Sequence, residues 1–157
     1  MRFARMVTGS TAIITAVLGL SLATAGPAAA AAAADSGTWR AYGNTNPITS
    51  SPSTWRCAGT KAIAASVAAQ VCAIRSPGGG AVQAAVIVRN NRTSLYSVKA
   101  SMDLYTSSAR LGSWVCSSSG VGPNSWSVCF GRTMSQSAAV DSSGAANNVG
   151  LGISPKV

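Results

Sequence analysis

The chain has 157 residues, a formal net charge of +9 and 47% hydrophobic residues, with neither histidine nor glutamate. A chain of this length builds a single-domain core, and without histidine it holds no Ser-His-Asp or Cys-His catalytic arrangement. Three carboxylates (Asp35, Asp103 and Asp141) stand against twelve Lys/Arg, so neither a paired-carboxylate glycosidase site nor a calcium cage is expected.

Residues 1–34 have the layout of a secretory signal peptide with an Ala-rich cleavage region. Met1-Arg2-Phe3-Ala4-Arg5 is a basic start, Ile13, Ile14, Val17, Leu18, Leu20 and Leu22 mark the apolar part, and alanines from Ala28 to Ala34 follow Pro27. The richest apolar part covers only about ten residues, against the roughly 20 that a membrane-spanning helix requires. We therefore expect a signal helix cleaved near Ala34–Asp35, no membrane span afterwards, and a secreted, extracellular product. Cleavage leaves ten Lys/Arg against three Asp, a balance of +7.

Residues 35–54 are rich in Ser, Thr, Asn and Pro, lack periodicity, and read as a flexible N-terminal arm. The packed domain is expected over residues 55–157. Trp55 to Ile63, with Cys57, reads as a first strand, although the alanines between Lys61 and Ala69 leave a helical turn as an alternative. Ser66 to Arg75 is a second strand, with Val67, Ala69, Val71 and Ala73 on one face and Gln70, Cys72 and Ile74 on the other. Ser76-Pro77-Gly78-Gly79-Gly80 is a turn.

Gly80 to Thr106 reads as one long β-hairpin around the polar loop Asn90–Ser94. Val82, Ala84, Val86 and Val88 form the inward row of one arm, and Val98, Ala100, Met102 and Leu104 that of the other. Ser113 to Ser117 is a short strand with Trp114 and Cys116 on one side, and Ser118 to Asn124 is a loop. Ser125 to Met134 is a strand with Trp126, Val128 and Phe130 opposite Cys129. Ser135 to Ala146 reads as a loose small-residue segment. Val149-Gly150-Leu151-Gly152-Ile153 is a last strand, its glycine face bare for close backbone approach. About seven short strands with regular turn signals predict an all-β, antiparallel immunoglobulin-like β-sandwich, with a small closed barrel as the alternative.

The even number of cysteines in an exported chain predicts disulfides, paired Cys57–Cys72 and Cys116–Cys129 because each pair brackets a strand–loop–strand unit. Zinc spacing is lacking, and no metal or cofactor is expected. The polar outward row and the loop supply binding candidates: Arg89, Asn91, Arg92, Tyr96 and Lys99, with Lys99 and Asp103 as a cross-face ion pair. Trp39 and Trp55, each followed by arginine, are further surface candidates, whereas Trp114 and Trp126 lie beside cysteines and are expected in the core. Asn91-Arg92-Thr93 also spells an N-glycosylation triplet. With no catalytic group assigned, the expectation is a non-enzymatic protein that binds an anionic extracellular polymer or cell-surface component. There is no specific nucleic-acid motif. The alternative is a small-ligand carrier with a cleft between the sheets, or a protease inhibitor offering the loop Ser117–Asn124.

W-R-C-A-G-T-K from Trp55, A-Q-V-C-A-I-R from Ala69, A-V-I-V-R-N-N-R from Ala85 and N-S-W-S-V-C-F-G from Asn124, with the Ala-rich leader, resemble small secreted proteins of actinobacteria, streptomycetes in particular, mostly of unknown function. The resemblance covers Trp55 to Arg132. It implies an extracellular, disulfide-bonded β-rich domain and carries over no catalytic residue.

Overall fold

A computed structural model describes residues 33–157. The expected signal helix and all but the last two residues of the expected signal peptide lie outside the described residues. The described chain is all-β, with no helix, and its strands form a sandwich of a five-stranded and a seven-stranded sheet. The strands are β1 (Asp35–Ser36), β2 (Thr38–Gly43), β3 (Thr54–Cys57), β4 (Lys61–Ala64), β5 (Val67–Arg75), β6 (Ala81–Asn90), β7 (Tyr96–Tyr105), β8 (Arg110–Val121), β9 (Ser125–Phe130), β10 (Met134–Ser135), β11 (Asp141–Ala146) and β12 (Val149–Ile153). One sheet runs β1-β8-β7-β11-β12; the other runs β2-β9-β6-β5-β3, with β10 on β6 and β4 on β5. All pairings are antiparallel except β1 with β8. The alanine-rich stretch that admitted a helical turn is β4 and the start of β5.

The expected hairpin is not a hairpin. β6 pairs with β5 and β9, whereas β7 pairs with β8 and β11 in the opposite sheet. The two inward rows do meet, from opposite sides of one core: Val82, Ala84, Val86 and Val88 face Val98, Ala100, Met102 and Leu104. The reason lies in the second faces. Strands paired in one sheet share both faces, and side chains alternate between them. The second row of β6 includes Ala85 and Ile87, which are buried, while that of β7 is Ser97, Lys99, Ser101 and Asp103, which are exposed or half-buried. The two second rows require different surroundings, so the strands separate. Buried Asn90 holds the resulting arch: its Nδ2 donates to the carbonyls of Ser94 (2.9 Å), Val121 (3.0 Å) and Gly122 (3.0 Å), and its Oδ1 accepts from the Arg92 amide at 3.0 Å. The true hairpins are β4–β5, β5–β6, β7–β8 and β11–β12. The last turns on Asn147 and Asn148, both at positive φ (45° and 66°), as a two-residue hairpin loop demands.

Both disulfides have the expected pairing, Cys57–Cys72 and Cys116–Cys129. Cys57–Cys72 ties an edge strand to its neighbour, the two residues standing opposite each other in the ladder. Cys116–Cys129 joins β8 of one sheet to β9 of the other, inside the core beside Trp114.

Residues 35–54 differ from an unpaired arm. β1 joins the five-stranded sheet, the chain crosses at Gly37, and β2 joins the seven-stranded sheet against β9. Edge pairing is made by backbone groups, and β2 packs only Trp39 and Tyr42, three residues apart, so no period-two apolar row is there to read. Since β2 and β3 occupy opposite edges, residues 44–53 must pass over the outer face of the seven-stranded sheet. There Tyr42, Ile48 and Trp55 pack on a second cluster of Cys72, Ile74, Ala85, Ile87 and Val128.

Three further segments depart from expectation. β8 continues through Val121, because Ser119, Gly120 and Val121 stay in register with β7, and the loop shrinks to residues 122–124. The expected strand to Met134 ends at Phe130, with β10 separate. The supposedly loose segment contains β11, an interior strand. Its small residues are required by space: a Cβ on Gly144 would lie 2.7 Å from the Ser101 carbonyl oxygen and 3.0 Å from Val71. In β12, by contrast, nothing lies within 4 Å of where a Cβ would stand on Gly150 or Gly152. The glycine face is open rather than closely approached, and Gly152 is there for its φ of +84°.

Candidate functional site

Charge is divided between the sheets. All three carboxylates belong to strands of the five-stranded sheet, on β1, β7 and β11. The seven-stranded sheet carries Arg40, Arg56, Lys61, Arg75 and Arg89 on its strands and no carboxylate. Arg75 is committed internally: its Nη1 donates to the carbonyls of Gly79 (2.5 Å) and Gln136 (2.8 Å), and its Nη2 to those of Ala138 (2.6 Å) and Val157 (3.0 Å). Arg89 has a different setting.

Arg89 sits at the end of β6 on the outer face, directly opposite Trp126 of β9. Its guanidinium carbon lies 5.2 Å from the centre of the Trp126 ring, a cation–π arrangement that also fixes the plane of the fork. Its Nε donates to Asn91 Oδ1 at 2.6 Å, and its Nη1 donates to Asn44 Oδ1 and to the Asn124 carbonyl, both at 2.9 Å. All three acceptors are neutral, so the positive charge is held in place without being cancelled. Nη2 has no acceptor, and Arg89 no carboxylate partner, among the described residues.

A groove of about 340 Å³ opens beside this guanidinium. The Ala68 methyl and buried Ile87 form its apolar part, with Ala69 contributing backbone only, since its methyl is in the main core; Arg89, Asn91 and Trp126 form one rim, Thr60 and Gln70 the other. The amide orientations follow from the bonds already made. Asn91 Oδ1 is occupied by Arg89, and Gln70 Oε1 accepts from Thr60 Oγ1 at 3.2 Å. What the two amides leave for a ligand is N–H: Asn91 Nδ2 and Gln70 Nε2, alongside Arg89 Nη2. The rims therefore present mainly donors around one uncompensated cation, which suits an acceptor-rich, negatively charged group.

Of the sequence candidates, Arg89 and Asn91 share this groove. Arg92 and Tyr96 are close by, with the arginine 5.8 Å from the ring centre. They connect to Arg89 through Asn124, whose amide donates to the Arg92 carbonyl at 3.1 Å. Tyr96 Oη accepts from Asn147 Nδ2 at 3.0 Å. Lys99 stands apart on the five-stranded sheet, in a separate hollow with Val115, Asn147 and Asn148. Asp103 does not pair with Lys99; its ion-pair partner is Arg110 on the neighbouring strand, at 3.8 Å. Trp39 donates its Nε1–H to the Ser117 carbonyl at 2.8 Å and packs on the main core, bridging the two sheets at their edge. Trp55 packs edge-on against Phe130, ring centres 6.0 Å apart, with its buried Nε1 unpartnered among the described residues. Both tryptophans are half-buried and packed on a core cluster, and neither lines the Arg89 groove.

Trp114 is in the core as expected, but Trp126 is not: Cys129 faces inward, and Trp126 is half-buried on the outer face. Sequence reasoning also missed Thr60, Gln70, Asn44 and Asn124. The alternation of Trp126, Val128 and Phe130 placed Trp126 opposite Cys129, a usable signal, but only the β6–β9 register brings Arg89 over it. No protein-family model matches the chain, and no curated protein matches it significantly.

Proposed function

We propose that this is an exported, non-enzymatic binding domain whose outer groove on the seven-stranded sheet holds an anionic extracellular or cell-envelope polymer. One observation carries the reading: Arg89 is immobilised by Trp126 and three neutral oxygens, its charge uncompensated, at the head of a donor-lined groove. A guanidinium already fixed in place loses little conformational freedom when it captures an anion. The disulfides, one of them in the core, are compatible with an oxidising, extracellular setting.

The alternatives have less to stand on. The space between the sheets is occupied by the main core, where a carried ligand would have to sit. Most of the segment that would serve as an inhibitory loop is tied into β8.

The test is binding to a soluble polyanion followed by tryptophan fluorescence. Binding should weaken steeply as salt rises from about 0.05 M to about 0.5 M, because screening shortens the reach of an exposed charge. Arg89→Gln should abolish most of it, and Lys99→Ala, on the other sheet, should leave it unchanged. Salt-independent binding, or equal losses in the two variants, would remove the groove from the reading.

A further inference from the structure

We infer that the group held in the Arg89 groove is a carboxylate-bearing sugar unit of an acidic polysaccharide. This rests on the anion-binding reading above and adds the chemical class of the ligand. Three features of the groove select it.

The first is the charge count. Arg89 is the one cation among the lining residues, and no carboxylate lines the groove. A single positive charge matches a polymer whose charges are set a whole sugar ring apart, whereas consecutive phosphates crowd further charge into the groove that nothing there meets. The second is the donor arrangement. Arg89 Nη2 and Asn91 Nδ2 belong to groups locked together by the Nε–Oδ1 bond of 2.6 Å. Two neighbouring N–H donors on one rim suit the two oxygens of a planar carboxylate. The third is the remainder of the groove. The Ala68 methyl and the Trp126 ring, over buried Ile87, offer an apolar surface, and Gln70 Nε2 stands on the far rim. A bare anion has no use for either. A sugar ring uses both, laying its C–H face on the apolar surface and offering a hydroxyl oxygen to the amide. The volume of about 340 Å³ lies at the small end of ligand sites, in keeping with a short stretch of a chain.

The experiment is a titration of the purified protein with polygalacturonate, its fully methyl-esterified form, dextran sulfate and inorganic polyphosphate, at matched charge for the three polyanions. Polygalacturonate should bind tightest. Esterification, which removes the charge and keeps the ring, should weaken binding about tenfold or more, as expected for a lost charge-assisted hydrogen bond. Arg89→Gln should lose polygalacturonate binding. Gln70→Ala, on the opposite rim and clear of the Asn44 and Asn124 contacts, should weaken polygalacturonate several-fold and leave polyphosphate unaffected. Tighter binding of polyphosphate or dextran sulfate that still depends on Arg89 overturns the carboxylated-sugar assignment and leaves the anion groove standing. The same holds for unchanged polygalacturonate affinity in Gln70→Ala, which also decides the matter should Arg89→Gln fail to fold. Absence of binding to every polyanion, or binding indifferent to a folded Arg89→Gln, overturns both.

Discussion

The two sheets use the same strand geometry for different surroundings. The central strands of the seven-stranded sheet, β5 and β6, are buried on both faces through their middles. One face meets the other sheet, and the second is covered by the pass of residues 44–53 with Tyr42, Ile48 and Trp55. In the five-stranded sheet β7 alternates buried residues with exposed or half-buried ones, and its outer face carries Lys99, Ser101, Asp103 and Tyr105. A strand covered on both sides reads as a near-continuous apolar run, and one covered on a single side reads as alternation. The covered sheet also holds the candidate groove. Its outer cover stops short of Arg89 and Trp126, so the Ala68 methyl and the Trp126 ring reach the surface beside a held cation. The open sheet has the carboxylates and a polar outer row on β7 instead.

The contrast can be broken by substitution. Ile87→Ala, on the outer face of the covered sheet, should cost about 2–5 kcal/mol as a core truncation, whereas Ser101→Ala, on the outer face of the open sheet, should stay within about 0.5 kcal/mol. Urea unfolding of both variants checks this; similar small losses would mean that the cover over β5 and β6 is not a true second core. Next in size is the link between the sheets. Replacing Cys116 and Cys129 by alanine releases a loop of 13 residues and should cost about 3 kcal/mol, read as a lowered denaturation midpoint of the oxidised protein. The smallest of the three effects is expected at the arch. Asn90→Ala leaves the carbonyls of Ser94 in the β6–β7 arch, Val121 at the end of β8 and Gly122 after it without their donor, a loss of about 1–3 kcal/mol. Hydrogen exchange should show faster opening of the amides of Arg92 and Asn124, while those in the centre of β5 stay protected.

Much of the architecture was legible because it depends on local alternation. The inward rows of β5, β6 and β7, the facing of Trp126, Val128 and Phe130 away from Cys129, and the final strand all follow from a period of two. The disulfide partners followed from spacing. The failures have a common cause. Gly80–Thr106 contains two good strands with a turn-like loop between them, and nearness in sequence suggested pairing. The buried second row of β6, with Ala85 and Ile87, was the available evidence against it. Edge strands β1 and β2 left little pattern, since β1 is two residues long and β2 packs only Trp39 and Tyr42, on different clusters, among exposed residues. The small residues of β11 looked loose because a crowded interior site and a mobile loop can both call for Ser, Gly and Ala.

For the groove the division is sharper. The sequence by itself determined the inventory: abundant Arg and Lys, few carboxylates, no histidine, and an arginine followed by two asparagines at the end of an apolar strand. It thereby determined which chemistry was absent and which residue types remained for binding. Only the tertiary structure decided that Arg89 lies over Trp126, that Asn44 and Asn124 hold its fork, that Gln70 lines the same groove, and that Lys99, Trp39 and Trp55 lie outside it. The physical reason is that side-chain alternation is a property of one strand, whereas a site of this kind depends on register between strands distant in sequence. That register is settled by how two sheets and a crossing segment bury their shared apolar surface.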